Sequence, residues 1–222
     1  MSVTYFSRRI NGPEAIIEDA VAHHLPQLLL GRQEFWTAGS LTVGAGKPDL
    51  LATTFQPEVT KLTRVTQDPI NIMSYLRRIN KARLETIAER VLQTSRNVWE
   101  QLSNLIELNI VEQSGYTYAL APTWRSILPE IVSVEAKVSD WRKAVAQAHR
   151  NKIFAHRSYI AMPTRVAIRI QLEPSIQDLG IGILAVNAAH QVEVIKSARR
   201  DNPKVWSYYY RLALILAQNK KE

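Results

Sequence analysis

The 222-residue chain contains no cysteine, which excludes disulfides, thiolate zinc ligands and a cysteine nucleophile. No apolar run is long enough to span a bilayer, and the segment around Arg8, Arg9 and Asn11 lacks the apolar stretch of a signal peptide. These absences predict a soluble, cytoplasmic protein that does not engage a membrane. Histidine is scarce as well. His23, His24, His149, His156 and His190 form no metal spacing with a third ligand and read as surface or structural residues, although His149 and His156 can touch phosphate. Gly44-Ala45-Gly46-Lys47 lacks the spacing, and the Ser or Thr after the lysine, of a phosphate-binding loop, so it reads as a turn.

What is present is an apolar content of 46%, enough for one substantial core and one small one, and a net charge of +8. Two short segments carry the chemistry. Lys47-Pro48-Asp49-Leu50-Leu51 opens an apolar strand with an acid, and Pro48 to Ala52 is expected to be extended. In Val134-Glu135-Ala136-Lys137-Val138, apolar residues flank a carboxylate and an ammonium two positions apart, which a strand points to one face. Brought together, Asp49 and Glu135 offer two hard oxygen ligands to Mg²⁺ with a lysine beside them.

Pro48-Asp49 and Glu135-Ala136-Lys137 resemble the signature of the PD-(D/E)XK nuclease superfamily, whose restriction-endonuclease-like fold is a mixed α/β (α+β) core with a central mixed sheet flanked by helices. The context agrees, since a helical stretch over 140–150 precedes a second apolar run, Ser158 to Met162. The resemblance implies a metal-dependent deoxyribonuclease that leaves 5′-phosphate and 3′-hydroxyl ends. It implies a helix glutamine near the site, for which Gln147 has the right place, and an acid on the first helix. Glu14 and Glu18 lie one turn apart on the expected helix from Pro13 to Leu30, with Glu18 preferred as the further metal ligand.

Asp49 and Glu135 are 86 residues apart, far more than adjacent strands require, so a small domain is expected between them. The division is 1–56 for the first part of the core, 57–122 for the insert and 123–222 for the second part. Within the insert, Asp68-Pro69 opens a helix through Ile70, Met73, Leu76 and Ile79. A second helix runs through Leu84, Ile87, Ala88 and Val91, and a third, capped by Ser95, aligns Val98, Leu102, Leu105 and Ile106. Ile110 to Leu120 reads as a hairpin about a Ser-Gly turn. Three helices and a hairpin resemble a winged helix-turn-helix. Its third helix would read base edges through Arg96, Asn97, Gln101 and Asn104, with Glu100 on the same polar face.

Charge places the phosphate backbone nearer the second motif. Residues 57–122 hold eight Lys/Arg against seven Asp/Glu, whereas 123–222 hold sixteen against eight. Arg142 and Lys143 are the expected phosphate contacts, with Arg150, Lys152, Arg157, Arg165, Arg169, Lys196, Arg199, Arg200 and Lys204 adding to the basic surface. Phosphodiester hydrolysis needs an activated water and neutralisation of developing phosphate charge. On this reading Asp49, Glu135 and the Ala136 carbonyl hold one Mg²⁺ or two, with Mn²⁺ as a substitute. Lys137 orients or helps to deprotonate the water, and Gln147 positions water or phosphate. A homodimer follows by analogy with nucleases that cut both strands. The alternative is a DNA-binding regulator without catalysis, or a module whose winged helix recruits a protein partner. Near the end, Gly180 to Val186 and Gln191 to Ile195 are expected strands, and Trp206 to Gln218 a helix closing the core; Trp99, Trp124, Trp141 and Tyr208-Tyr209-Tyr210 read as core.

Overall fold

The computed structural model describes residues 3–8, 11–28 and 34–220; the expected end of the first helix at Leu29 and Leu30, and Arg9, lie outside the described residues. The chain is mixed α/β and divides into two compact units, 1–55 with 130–204, and 56–129 with 205–222.

The first unit begins with strand β1 (Thr4–Tyr5), helix α1 (Pro13–Leu28), and strands β2 (Phe35–Gly39) and β3 (Leu50–Thr54). Leu41-Thr42-Val43 is not a strand. It leads into a tight loop closed by a Val43–Gly46 bridge, in which Gly44 has φ +57°.

The chain then enters the second unit, where Pro57–Arg64 winds as a 3₁₀ helix. Helix α2 (Ile70–Arg78), strand β4 (Ala82–Arg83) and helices α3 (Leu84–Val91) and α4 (Ser95–Glu107) follow, then strands β5 (Val111–Ser114) and β6 (Thr117–Leu120). The Asp68 carboxylate accepts the Ile70 N–H at the start of α2, as its sequence predicts. At α4 the cap is Thr94, one residue before the expected Ser95, and its hydroxyl accepts the Asn97 N–H. The hairpin turns at Gly115 with φ +57°, and its strands join β4 in the order β4-β6-β5.

Back in the first unit come β7 (Ile131–Ala136), α5 (Trp141–Asn151), β8 (Arg157–Pro163), α6 (Thr164–Ile170), α7 (Pro174–Asp178), β9 (Gly182–Val186) and β10 (Val192–Lys196). Among the described residues they complete a seven-stranded mixed sheet of order β1-β2-β3-β7-β8-β9-β10. The β3–β7 pair is antiparallel, and β7, β8 and β9 are mutually parallel.

Alternation along these buried strands gives the sheet two apolar faces. Leu50, Ala52, Val132, Val134, Ala136, Tyr159 and Ala161 pack under Val21 and Leu25 of α1. Ile160, Met162, Ile183 and Ala185 pack with Ala144 and Ala148 of α5 and with α6 and α7 on the other face. Gly182 is required by close approach, because a Cβ there would strike the Tyr159 ring.

The last helix, α8 (Trp206–Asn219), belongs to the second unit, not to the sheet it was expected to close. Its tyrosines explain why. The Tyr209 hydroxyl donates to the Leu128 carbonyl at 3.1 Å and accepts the Leu128 N–H at 2.7 Å, and the Tyr210 hydroxyl donates to the Trp124 carbonyl at 2.9 Å. All three aromatic rings are buried, so α8 is tied to the 122–128 segment and packs on α2 and Pro57–Arg64.

Candidate active site

Three segments meet at the carboxyl end of β7. Leu50 pairs with Val134 in the antiparallel β3–β7 ladder, so Asp49, one residue before β3, arrives opposite Glu135. Its carboxylate Oδ2 accepts the Ala136 N–H at 2.8 Å and the Lys137 ammonium at 3.2 Å. Lys137, the first residue past β7, continues the parallel ladder through its N–H to the Ala161 carbonyl. Its Nζ also donates to the Ala136 carbonyl at 2.7 Å and to Glu14 Oε2 at 3.1 Å.

The residues the sequence pairs across 86 positions, Asp49, Glu135 and Lys137, are therefore together. The helix acid at Lys137 is Glu14, in the first turn of α1, and not the preferred Glu18 one turn later. The start of α1 rather than its middle lies at the end of β7, and a first-turn acid is also favoured by the helix dipole.

Glu135 points from the opposite side of β7 to Val134 and Ala136, towards α5, where Asn151 Nδ2 donates to its Oε1 at 2.7 Å. Asn151 is a site residue that the sequence reading missed. Gln147 sits one helical turn before it on α5, so the two share a face. The Gln147 Oε1 atom is buried with no donor among the described residues. Gly46 lets the Asn151 side chain in: a Cβ there would come within 2.5 Å of Asn151 Oδ1 and 2.7 Å of the Phe154 ring. A polar ladder continues down this face, with Ser133 Oγ and Ser158 Oγ 2.7 Å apart and both buried.

Burial, together with the Asp49 charge, pushes the Glu135 carboxyl up to about 8, although the Asn151 hydrogen bond and Lys137 oppose the shift. Its Oε2 is buried with no donor among the described residues. Burial pulls on the Lys137 ammonium in the other direction, but the Asp49 charge and the hydrogen bonds to Glu14 and Asp49 outweigh it and hold the group above the ordinary lysine value.

Two crowded carboxylates, one with an oxygen that has no donor among the described residues, and an adjacent backbone carbonyl make an all-oxygen donor set that fits a hard divalent cation with water filling the rest of its shell. The set stops there: among the described residues no group of three or more His, Asp or Glu side chains is arranged to hold a metal.

Several expected contacts are placed elsewhere. Gln101 is buried, its Nε2 donating to Gln93 Oε1 at 2.6 Å, so it cannot face a base edge. Asn104 Oδ1 accepts the Thr66 N–H and braces a loop. Arg96 is exposed but paired with Glu100 at 3.2 Å, and Asn97 is exposed. Trp99, expected in the core, is 55% exposed on α4.

Of the basic residues after the motif, Arg142 and Lys143 are exposed at the start of α5, the former with its guanidinium 4.6 Å from the Trp141 ring centre. Lys152 is not a phosphate contact: it is buried, bonded at 2.6 Å to the Leu179 carbonyl and to Asp201. Arg157 and Arg200 both pair with Glu130, and Arg199 with Asp201. His156 is buried and accepts the Ile131 N–H at 3.0 Å; burial, then Arg200 and Arg157, push it down to about 3, which makes it a neutral structural residue.

No described helix is long and apolar enough to cross a membrane. No family model matches the chain, and no curated protein does. Among solved structures the chain is similar to a protein of unknown function from Silicibacter pomeroyi, at 12% identity over 96% of this chain and 90% of that one, with a TM-score of 0.46.

Proposed function

We propose that the protein is a Mg²⁺-dependent DNA endonuclease of the PD-(D/E)XK type, acting in the cytoplasm on phosphodiester bonds, with the second unit serving as a winged helix-turn-helix for DNA. The observation that carries this reading is the meeting of Asp49, Glu135 and Lys137 at one strand end, with Glu14 and Asn151 bonded to members of the cluster. A surface salt bridge needs no buried carboxyl beside a second one, no orphaned oxygen and no glycine making room for an asparagine.

Asp49, Glu135 and the Ala136 carbonyl are the groups that would hold Mg²⁺ or Mn²⁺; the bound ion supplies Lewis-acid polarisation of the phosphate and a more acidic water. The remaining work belongs to side chains. Lys137 places a positive charge beside the incoming phosphate and offsets the charge that develops on it. Glu14 and Asp49 fix that ammonium, and Asn151 fixes the rotamer of Glu135. The free acceptor at Gln147 Oε1 can take a hydrogen from a water. Arg142 and Lys143 hold phosphates of the passing strand.

For the second unit, the succession of α2, β4, α3, α4 and a β5–β6 hairpin supports the winged-helix reading, with Arg96 and Asn97 near the α4 N-terminus available to base edges. A homodimer would cut both strands. The test is a cleavage assay on linear, circular and single-stranded DNA. Wild type should cut with Mg²⁺ or Mn²⁺, stop with EDTA and turn over little with Ca²⁺. Asp49→Ala, Glu135→Ala and Lys137→Ala should each abolish cutting while DNA binding persists. Absence of metal-dependent cutting, or a Lys137→Ala variant as active as wild type, removes the enzyme.

One observation favours a second reading, a partner-recruiting module. The exposed face of α4 and the turn before it carry Trp99, 55% exposed, and Leu92, 92% exposed, which is more apolar surface than phosphate binding uses. On that reading Trp99→Ala leaves DNA affinity unchanged and abolishes binding of a protein partner.

A further inference from the structure

We infer that a groove beside the Asp49 cluster is a nucleobase subsite, so that the strand enters unpaired with one base seated between α1 and the carboxyl ends of the parallel strands. The inference rests on the nuclease reading and names its substrate class as single-stranded or locally unpaired DNA.

The groove encloses about 500 Å³ and is walled by Ile16 and Ile17 of α1, Val138 just past β7, Pro163 ending β8 and Val186 ending β9, with Arg165 beside them. Its place is where open α/β sheets receive ligands, outside the carboxyl ends of the strands. It also adjoins the cluster through the chain. Pro13 and Val138 line it, and they are the immediate neighbours of Glu14 and Lys137. Consecutive Cα atoms are about 3.8 Å apart, so a nucleotide whose phosphate meets the Lys137 ammonium has its base within reach of the groove.

The lining chemistry selects the occupant. Ile16 is 48% exposed and Val138 37% exposed, although both are branched aliphatics beside a polar site, and their exposed faces line this one depression. No acidic side chain is among the described lining residues, while Arg165 supplies a cation and Thr164 a hydroxyl. Apolar walls fit the flat faces of a base, the hydroxyl and guanidinium fit its polar edge or its phosphate, and the missing acids leave nothing to repel a nucleotide. A paired base cannot enter alone. It must first leave its stack and its partner, which costs least in a strand that is already single.

The test uses the full chain with EDTA present, so that nothing is cut, and compares short single-stranded oligonucleotides with and without abasic sites in a binding titration, with 2-aminopurine reporting base environment. Wild type should bind the oligonucleotide with bases about tenfold more tightly than the abasic one, as expected for one stacked base. It should change 2-aminopurine fluorescence on binding. Ile16→Ser with Val138→Ser should bind the abasic strand as wild type does and lose the preference for bases. Both positions are partly exposed, so thermal melting should be unchanged; if the double variant melts early, the wild-type comparison decides alone. Equal wild-type affinity for the two oligonucleotides, or a folded double variant that keeps its preference, overturns the subsite. Because no cutting is read, failure of the nuclease reading shows only in the Mg²⁺ assay and failure of the groove only here.

Discussion

Two buried titratable residues give the first unit opposite responses to pH. Glu135 binds its proton up to about pH 8 in the folded chain but only to about 4.5 when unfolded. Between those values the native state carries a proton that the unfolded state has released, so raising the pH removes stability. His156 behaves in reverse. Held neutral down to about 3 against 6.5 unfolded, it costs stability as the pH falls below 6.5. We predict that Glu135→Gln melts higher than wild type at pH 8 without divalent cations, by on the order of 1 to 3 kcal/mol once the Asp49 coupling is discounted. The variant's stability should be nearly flat from pH 6.5 to 8 and fall below 6.5 as His156 dictates, and urea melts from pH 5 to 8 check it. Added Mg²⁺ should raise the wild-type midpoint and leave Glu135→Gln unmoved. A wild type as flat as the variant would show that Glu135 ionises normally. Gly46→Ala tests the neighbouring support: the methyl must displace Asn151 or Phe154, so cutting should fall. Undiminished cutting would remove Asn151 from the positioning role.

At the scale of elements, α4 separates what a residue pattern can say from what it cannot. Its apolar stripe of Val98, Leu102 and Leu105 is legible from spacing and is buried. The polar side is not uniform. Gln101 lies next to that stripe and turns inward to Gln93, while Trp99 faces out, because the stripe is only wide enough for the residues that α3 and β5 cover. We therefore predict that Gln101→Ala costs about 1 kcal/mol of stability and leaves any sequence preference intact, whereas Arg96→Ala and Asn97→Ala weaken binding to a preferred site and spare melting. Melts and binding isotherms on the same three variants tell these outcomes apart. The site shows the same division. Asp49, Glu135 and Lys137 are legible because each stands in, or directly at the end of, a short apolar strand where a charge is out of place. Asn151 and Glu14 are not, since only the packing of α5 over β7 and the start of α1 decide which polar residue on a helix arrives. A signal for Asn151 did exist: it is one turn beyond Gln147, on the face already singled out.

At the scale of the molecule, the unit containing α4 is broader than an insert between two strands. It takes residues 56–129 and then α8, which comes in the chain only after the first unit's last segment, 130–204. Trp124, Tyr209 and Tyr210 are each nearly fully buried there, and burying one large aromatic stabilises by several kcal/mol relative to its loss. We predict that a 56–129 fragment is helical but melts without a sharp transition, and that joining α8 to it by a flexible linker restores cooperative unfolding, read by circular dichroism and urea midpoint. A cooperative fragment without α8 would show the helix to be dispensable. The order in which the ribosome delivers these segments adds a consequence. Everything α8 covers has left the exit tunnel before α8 is made, and the whole β7–β10 half of the sheet is translated in between. The surface of α2 and Pro57–Arg64 on which α8 packs thus waits through the 75 codons of residues 130–204 with its lid still missing, an interval of about 4 to 15 s at ordinary elongation rates. Chaperone dependence and truncation by early stop codons should concentrate their effects on this unit, while the unit bearing Asp49 and Glu135 has its entire sequence in hand before α8 appears.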